Sequence, residues 1–80
     1  IKSCVVTAKI DNDVIGISAR SIDKIDVNKF MANFGGGGNK NEGAAVIENA
    51  EIDDIENKIL KLIKRWDYAS YIYKRFKESR

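Results

Sequence analysis

Apolar side chains recur at two different spacings along this chain, and these spacings divide it into strands and helices. Up to residue 21 the apolar positions are close together and mostly β-branched, which is typical of strands. We predict a first strand over 3–10 and a second over 14–18 that closes at Ala19-Arg20-Ser21. The polar turn Asp11-Asn12-Asp13 separates them, so the two strands should form an antiparallel hairpin.

The next apolar positions predict a short helix with one buried face. Four of them, Val27, Phe30, Met31 and Phe34, stand at positions i, i+3, i+4 and i+7. This interval places side chains on the same side of a helix. Asp26 is a suitable N-cap, and Gly35 stands where a left-handed residue commonly ends a helix.

A third strand is predicted over 43–47, with small residues first and Val46-Ile47 after them. A strand, a helix and a strand in succession usually form a right-handed crossover, which would place the second and third strands parallel. The expected fold class is therefore α+β. It would have a small mixed sheet of three strands, or slightly more, packed against two helices.

The C-terminal part of the chain carries a longer helical repeat. Its apolar positions are Ile52, Ile55, Ile59, Leu62, Ile63 and Trp66. If the repeat continued to residue 77, the helix would be about 39 Å long. That length exceeds a domain of this size, so the helix should bend near Asp67 or pack on another partner. We divide the chain into a domain over 1–65 and a basic, aromatic, helical extension over 66–80.

Composition narrows the class of protein. The chain has 80 residues, of which 44% are hydrophobic and 32% charged, which is typical of one ordered domain. Residues 1–60 carry seven basic and ten acidic side chains, whereas residues 61–80 carry seven basic and two acidic ones. With no histidine and only Cys4, the chain has no internal disulfide and no histidine-based metal site. Cys4 is expected to be buried, and the location cytoplasmic.

The basic tail allows two interpretations. Aromatic and basic residues alternate between Tyr68 and Arg80, a pattern that can bind nucleic acid or anionic lipid. The solvated face of an ordinary amphipathic helix has the same pattern. The tail could also form a dimer interface over residues 66–76. The sequence leaves these alternatives open.

Four consecutive glycines, Gly35-Gly36-Gly37-Gly38, precede Asn39 and are the candidate functional loop. Glycine backbone without side chains can present N–H groups to phosphate oxygens. The loop lacks the Gly-Lys-Ser/Thr ending of a Walker loop, and it does not join a strand to a helix start as a dinucleotide fingerprint does. It follows a helix C-terminus, where the helix dipole does not favour an anion. Phosphate contact and a purely structural turn are both compatible with it.

These segments together resemble a known family. Ile17-Ser18-Ala19-Arg20-Ser21, Val27, Phe30-Met31, the run from Gly35 to Asn39, and Gly43-Ala44 resemble the C-terminal DHH-associated domain of DHH-family phosphoesterases. The spacing looks closest to the cyclic-di-AMP phosphodiesterase branch. The resemblance covers roughly residues 3–63, most of the chain by the usual extent of such a domain.

The resemblance implies a division of labour between two domains. A separate N-terminal DHH domain would hold two manganese ions and hydrolyse the substrate, and the parent protein could be membrane-anchored with this domain in the cytoplasm. The present segment would recognise the substrate, a cyclic dinucleotide or a short oligonucleotide, without being catalytic itself. It would use Arg20, Ser21, the four glycines and Asn39. An alternative for Arg20 is a surface ion pair at a strand end.

Asn39 departs from the family pattern, which has a histidine that contacts the substrate phosphate. Asparagine can donate a hydrogen bond, but it carries no charge and transfers no proton. Affinity and turnover are therefore in question, and Lys40 could supply the missing positive charge. Two other functions remain open: an oligoribonuclease or nucleic-acid-binding module, and a non-catalytic dimerisation domain.

Overall fold

The computed structural model describes residues 2–22, 25–64 and 71–76, and this part of the chain forms five strands and two helices. The strands are β1 (Ser3–Asp11), β2 (Val14–Ser21), β3 (Gly37–Gly38), β4 (Glu42–Glu48) and β5 (Tyr71–Phe76). The helices are α1 (Val27–Ala32) and α2 (Ile52–Ile63). The predicted α+β class, with a mixed sheet and two helices, is confirmed.

The strands form one sheet in the order β3-β4-β2-β1-β5. The predicted hairpin is confirmed, because β1 and β2 pair antiparallel from Ser3 opposite Ser21 to Asp11 opposite Val14. The turn uses Asp13 at a φ of 57°, a left-handed conformation that Asp adopts more readily than most residues. β2 extends through Ser21, so Arg20 lies within the strand, as predicted.

The predicted parallel arrangement of the second and third strands is wrong. β4 pairs antiparallel with β2, and β3 pairs antiparallel with β4. β3, the two-residue strand that follows α1, therefore runs parallel to β2. A tight turn after β3 reverses the chain, and β4 lies between β3 and β2 in the sheet. The sequence shows no apolar pattern in β3, because both of its residues are glycine.

The helical conformation predicted for the extension over 66–80 is wrong for residues 71–76. α2 ends at Ile63, and residues 71–76 form β5, which pairs parallel with β1. Tyr, Ile and Phe favour strands, and this local preference agrees with the observed pairing. Trp66, Tyr68 and the expected bend near Asp67 lie outside the described residues. The boundary between residues 65 and 66 stays a prediction.

Both helices pack on the same face of the sheet. Odd-numbered strand residues such as Val5, Ile17 and Ala45 point to this face and form the core with helix residues such as Met31 and Ile59. Even-numbered residues of β1, β2 and β4 point to the other face, which no described element covers. Large apolar side chains remain accessible there, with Ile10 57% and Val46 62% exposed. Cys4, predicted to be buried, is half-buried on this open face.

Polar contacts join β5 to the rest of the fold. The Tyr73 hydroxyl donates to Glu56 Oε2 on α2 at 2.8 Å and lies 2.8 Å from Thr7 Oγ1 on β1. A carboxylate only accepts, so Tyr73 gives its one proton to Glu56, and Thr7 donates to Tyr73. Burial raises the pKa of Tyr73 to about 12, so the hydroxyl stays protonated at neutral pH. Arg75 adds an ion pair with Asp53 at 2.8 Å.

Candidate functional site

An open pocket of about 370 Å³ lies where β2, β4 and the end of β3 meet. Its lining residues are Ser18, Ala19, Arg20, Gly38, Asn39, Glu42, Gly43 and Ala44. Three of the seven residues predicted from the sequence, namely Arg20, Gly38 and Asn39, therefore share one pocket. Arg20 lies on β2 and Gly38 on β3, and β4 lies between these two strands. The two residues therefore come together through the fold of the sheet.

Arg20 supplies the positive charge of this pocket. It lies on the open face of β2 directly opposite Glu42 of β4, and its Nη2 is 3.4 Å from Glu42 Oε1. Both side chains are largely exposed, at 79% and 57%, and exposed ion pairs of this kind contribute little to stability. The surface ion pair that the sequence allowed as an alternative is thus present. The guanidinium nevertheless remains accessible to a ligand.

Asn39 builds the turn that leads from β3 into β4. Its side-chain Oδ1 accepts from the backbone N–H of Asn41 at 2.8 Å and of Glu42 at 3.0 Å. Its own backbone N–H donates to the Glu42 carbonyl at 2.8 Å. Such side-chain to backbone bonds are the usual reason for Asn in tight turns. The amide oxygen is therefore used structurally, which leaves the amide nitrogen as the donor available to the pocket.

The same turn is tied to the end of β2 and to the start of α1. The Ser21 N–H donates to the Asn41 carbonyl at 2.7 Å, and Asn41 Nδ2 donates to the Ser21 carbonyl at 2.9 Å. The Val27 N–H donates to the Lys40 carbonyl at 3.0 Å. The glycines follow the C-terminus of α1 as expected, but residues 39–41 return to its N-terminal end.

The Ser21 side chain is not in the pocket. It is 1% exposed, and its Oγ lies 2.9 Å from Ser3 Oγ on the helix-covered side of the sheet. Alternation along β2 places Arg20 and Ser21 on opposite faces, so one ligand on the open face cannot contact both side chains. Ser21 positions the site through its backbone bonds to Asn41.

Gly35, Gly36 and Gly37 lie beside the pocket lining and form the close approach of α1 to the sheet. Gly35 has a φ of 74°, the left-handed conformation predicted for the end of the helix. The N–H groups of Gly35 and Gly36 donate to the Ala32 and Met31 carbonyls. These two amides are bonded within the chain, so the structure does not present them to the pocket.

Sequence reasoning missed Glu42, the acidic residue of the pocket. Its place opposite Arg20 follows from the antiparallel pairing of β2 with β4, whereas the predicted parallel pairing would not have brought the two together. A correct prediction of strand direction would have been the signal to find it. Ser18 was quoted only as part of a motif, and it also lines the pocket.

We expect Asn39→Ala to lower the free energy of unfolding by about 1–2 kcal/mol, because two backbone N–H groups of the turn lose their acceptor. Asn39→Asp is the matched control, since a carboxylate oxygen accepts the same two bonds. Urea unfolding followed by circular dichroism measures both variants. Equal losses for Ala and Asp would show that the side-chain acceptor does not hold the turn.

The described residues contain no group of three or more His, Cys, Asp or Glu side chains arranged to hold a metal ion. The resemblance assigns manganese to a separate DHH domain and not to this segment, so the manganese site stays a prediction. Within the same residues, no helix has the length and apolar character needed to cross a membrane.

The fold and the pocket define an α+β domain that carries an arginine and a glycine-asparagine turn on an open sheet face. Comparison with known proteins agrees with the resemblance to the DHH-associated domain. The DHHA1 domain family matches residues 2–66, and the chain belongs to this family. It is 36% identical over 61 residues to the cyclic-di-AMP phosphodiesterase PdeA of Listeria monocytogenes. The match covers 76% of this chain and 9% of PdeA.

A solved structure shows the same fold. The pGpG-specific phosphodiesterase PggH from Vibrio cholerae matches with a TM-score of 0.62 at 17% identity, over 79% of this chain and 24% of PggH. At this identity the likeness concerns the fold alone. The chain thus spans about a tenth of one relative and about a quarter of the other.

Proposed function

We propose that this domain is the substrate-recognition lobe of a DHH-type phosphodiesterase and that it binds a phosphate of a cyclic dinucleotide. Short oligonucleotides are the second substrate class. The observation that carries the proposal is the meeting of Arg20, Gly38 and Asn39 in one pocket. Its size is in the range of small-molecule sites, which is about 300–1,000 Å³.

The chemistry of the pocket suits a phosphate. The guanidinium of Arg20 can give two parallel hydrogen bonds to phosphate oxygens, a geometry that Lys cannot reproduce. The amide nitrogen of Asn39 can add a third donor from the β3–β4 turn. Gly38 brings backbone close to the ligand because it has no side chain.

The proposed partner for catalysis is an N-terminal DHH domain of the same chain, which would hold manganese and carry out the hydrolysis on the cytoplasmic side. The described part of this chain contributes recognition only. The name of PdeA supports cyclic-di-AMP as the first ligand to test. The name of PggH makes a linear dinucleotide the second.

The alternative of a nucleic-acid-binding tail has less support. Two of the residues that it would use, Tyr73 and Arg75, are held within the fold by Thr7, Glu56 and Asp53. A strand paired with β1 also does not present the amphipathic helical face that this alternative requires. No contact among the described residues favours the dimer interface.

We expect Arg20→Ala to weaken binding of cyclic-di-AMP about tenfold to thirtyfold, because a charge-assisted pair of hydrogen bonds is lost. Lys9→Ala is the matched control, since it removes one exposed positive charge at the other end of the sheet. Calorimetry or NMR titration of the chain, with circular dichroism to verify folding, measures both. If the two variants weakened binding equally, the loss would come from the lower net charge of the chain, and Arg20 would be ruled out as the phosphate contact.

A further inference from the structure

Among the described residues that line the pocket, one acidic side chain lies next to one basic side chain. Of its eight lining residues, Arg20 and Glu42 are the charged pair, and they are 3.4 Å apart. The formal charge of the pocket is therefore zero. A carboxylate beside the guanidinium lowers the affinity of the site for phosphate. If the site served only to attract phosphate, Glu42 would have no function there.

Glu42 is held in place by its backbone and not by the ion pair. Its N–H bonds to Asn39 Oδ1 at 3.0 Å and its carbonyl accepts from the Asn39 N–H at 2.8 Å. Pairing of β4 with β2 fixes its Cα opposite that of Arg20. A ligand that binds the guanidinium in place of Glu42 therefore still lies beside the residue that carries the carboxylate.

We propose that Glu42 selects ligands by the charge of their phosphate group. It favours a phosphodiester, which carries one negative charge, over a terminal phosphomonoester, which carries about −1.5 to −2 at pH 7. This inference rests on the proposed function, because it assigns the phosphate to Arg20. Compared with a site that has Arg20 alone, such a site shifts the ratio of affinities away from a product that ends in a phosphate and towards an intact phosphodiester substrate.

The physical basis is that Coulomb energy is proportional to the charge of the ligand. Repulsion by Glu42 costs a dianion about twice the free energy that it costs a monoanion at the same place. Affinity depends exponentially on free energy. If removing the carboxylate raises the affinity for the monoanion by a given factor, it should therefore raise the affinity for the dianion by about the square of that factor.

The test uses two ligands that share base and sugar and carry one phosphate each: adenosine 3′,5′-cyclic monophosphate, a diester, and adenosine 5′-monophosphate, a monoester. In Glu42→Gln the shape is kept and the charge is lost. We expect affinity to rise about threefold for the cyclic ligand and about tenfold for the monoester, a size in keeping with exposed charges.

Glu48→Gln is the matched control. Glu48 is the other acidic residue of β4 and lies on the same open face, six residues from Glu42. That separation is about 20 Å along a strand, well beyond the roughly 8 Å over which charges act at physiological salt. Glu48→Gln should leave both affinities unchanged, although it alters the net charge by the same amount.

The outcomes separate the two proposals. If Glu42→Gln changes both affinities by the same factor, or changes neither, while cyclic-di-AMP binding still depends on Arg20, the charge selection is wrong and the proposed function stands. If none of the three ligands binds the folded chain, both proposals are wrong. An unequal rise for Glu48→Gln would also overturn the assignment to Glu42.

Discussion

Gly36→Ala is expected to be among the most destabilising single substitutions in this chain, with a loss of about 3 kcal/mol or more in the free energy of unfolding. A Cβ at Gly36 would lie 2.3 Å from the Ala44 carbonyl oxygen and 2.5 Å from the Ala45 Cβ. Both are parts of β4, so the clash cannot be relieved by a side-chain rotation. The strand β3 would have to move away from β4, and the pocket would lose Gly38.

Gly37→Ala is the neighbouring control for Gly36→Ala. A Cβ there meets only Asn28 Oδ1, at an ordinary contact distance of 3.5 Å. We expect a change within about 1 kcal/mol, since no backbone must shift. Chemical unfolding of both variants gives the comparison. Similar losses at the two positions would mean that the glycines serve chain flexibility and not the packing of β3 on β4.

Ile59→Ala is expected to lower the free energy of unfolding by about 2–5 kcal/mol, the usual cost of a cavity at a fully buried aliphatic side chain. Ile59 is 0% exposed and sits in the middle of α2 on the covered face of the sheet. The helix has no side-chain hydrogen bond at its N-cap, so packing must supply most of its stability.

Leu60→Ala provides the control for Ile59→Ala on the same helix. Leu60 is 44% exposed, so its truncation removes far less buried surface. We expect a loss below about 1 kcal/mol, measured by the same urea titration and by thermal melting. If Leu60→Ala were the more damaging variant, the face by which α2 packs on the sheet would be assigned incorrectly.

The first half of the fold could be predicted from the sequence because each of its elements has a local pattern. The β1–β2 hairpin has β-branched strands and a polar turn, and α1 has a cap, an apolar stripe and a glycine end. Strand direction after α1 could not be predicted, because β3 is two glycines and carries no apolar signal. The usual rule for strand, helix and strand therefore gave the wrong polarity for β4.

The C-terminal error has a different cause. Apolar and aromatic residues after Ile63 fit both a helical repeat and a strand, so periodicity alone could not decide between them. Pairing of β5 with the distant β1 decides it, and the Thr7–Tyr73–Glu56 contacts that fasten it join three separate elements. Contacts between residues so far apart in the chain cannot be predicted from the pattern of a short stretch of sequence.

For the candidate site, the sequence indicated which residue types take part, but not which of them lie together in one pocket. Arg20 and the end of the glycine run do meet in a pocket. Ser21 was included because the family pattern has Arg-Ser at the end of this strand, although adjacent strand residues point to opposite faces. Glu42 was omitted because its relation to Arg20 depends on the direction of β4.

The position of β5 has a consequence for how the domain should be delimited. The match to the family ends at residue 66, whereas β5 covers the outer backbone of β1 from Ser3 to Ala8. A chain trimmed to the family match would leave the N–H and C=O groups of a β-branched strand unpaired, and such edges recruit other molecules and aggregate. We therefore expect a chain that ends at residue 66 to associate through the edge of β1 more readily than a chain that keeps β5.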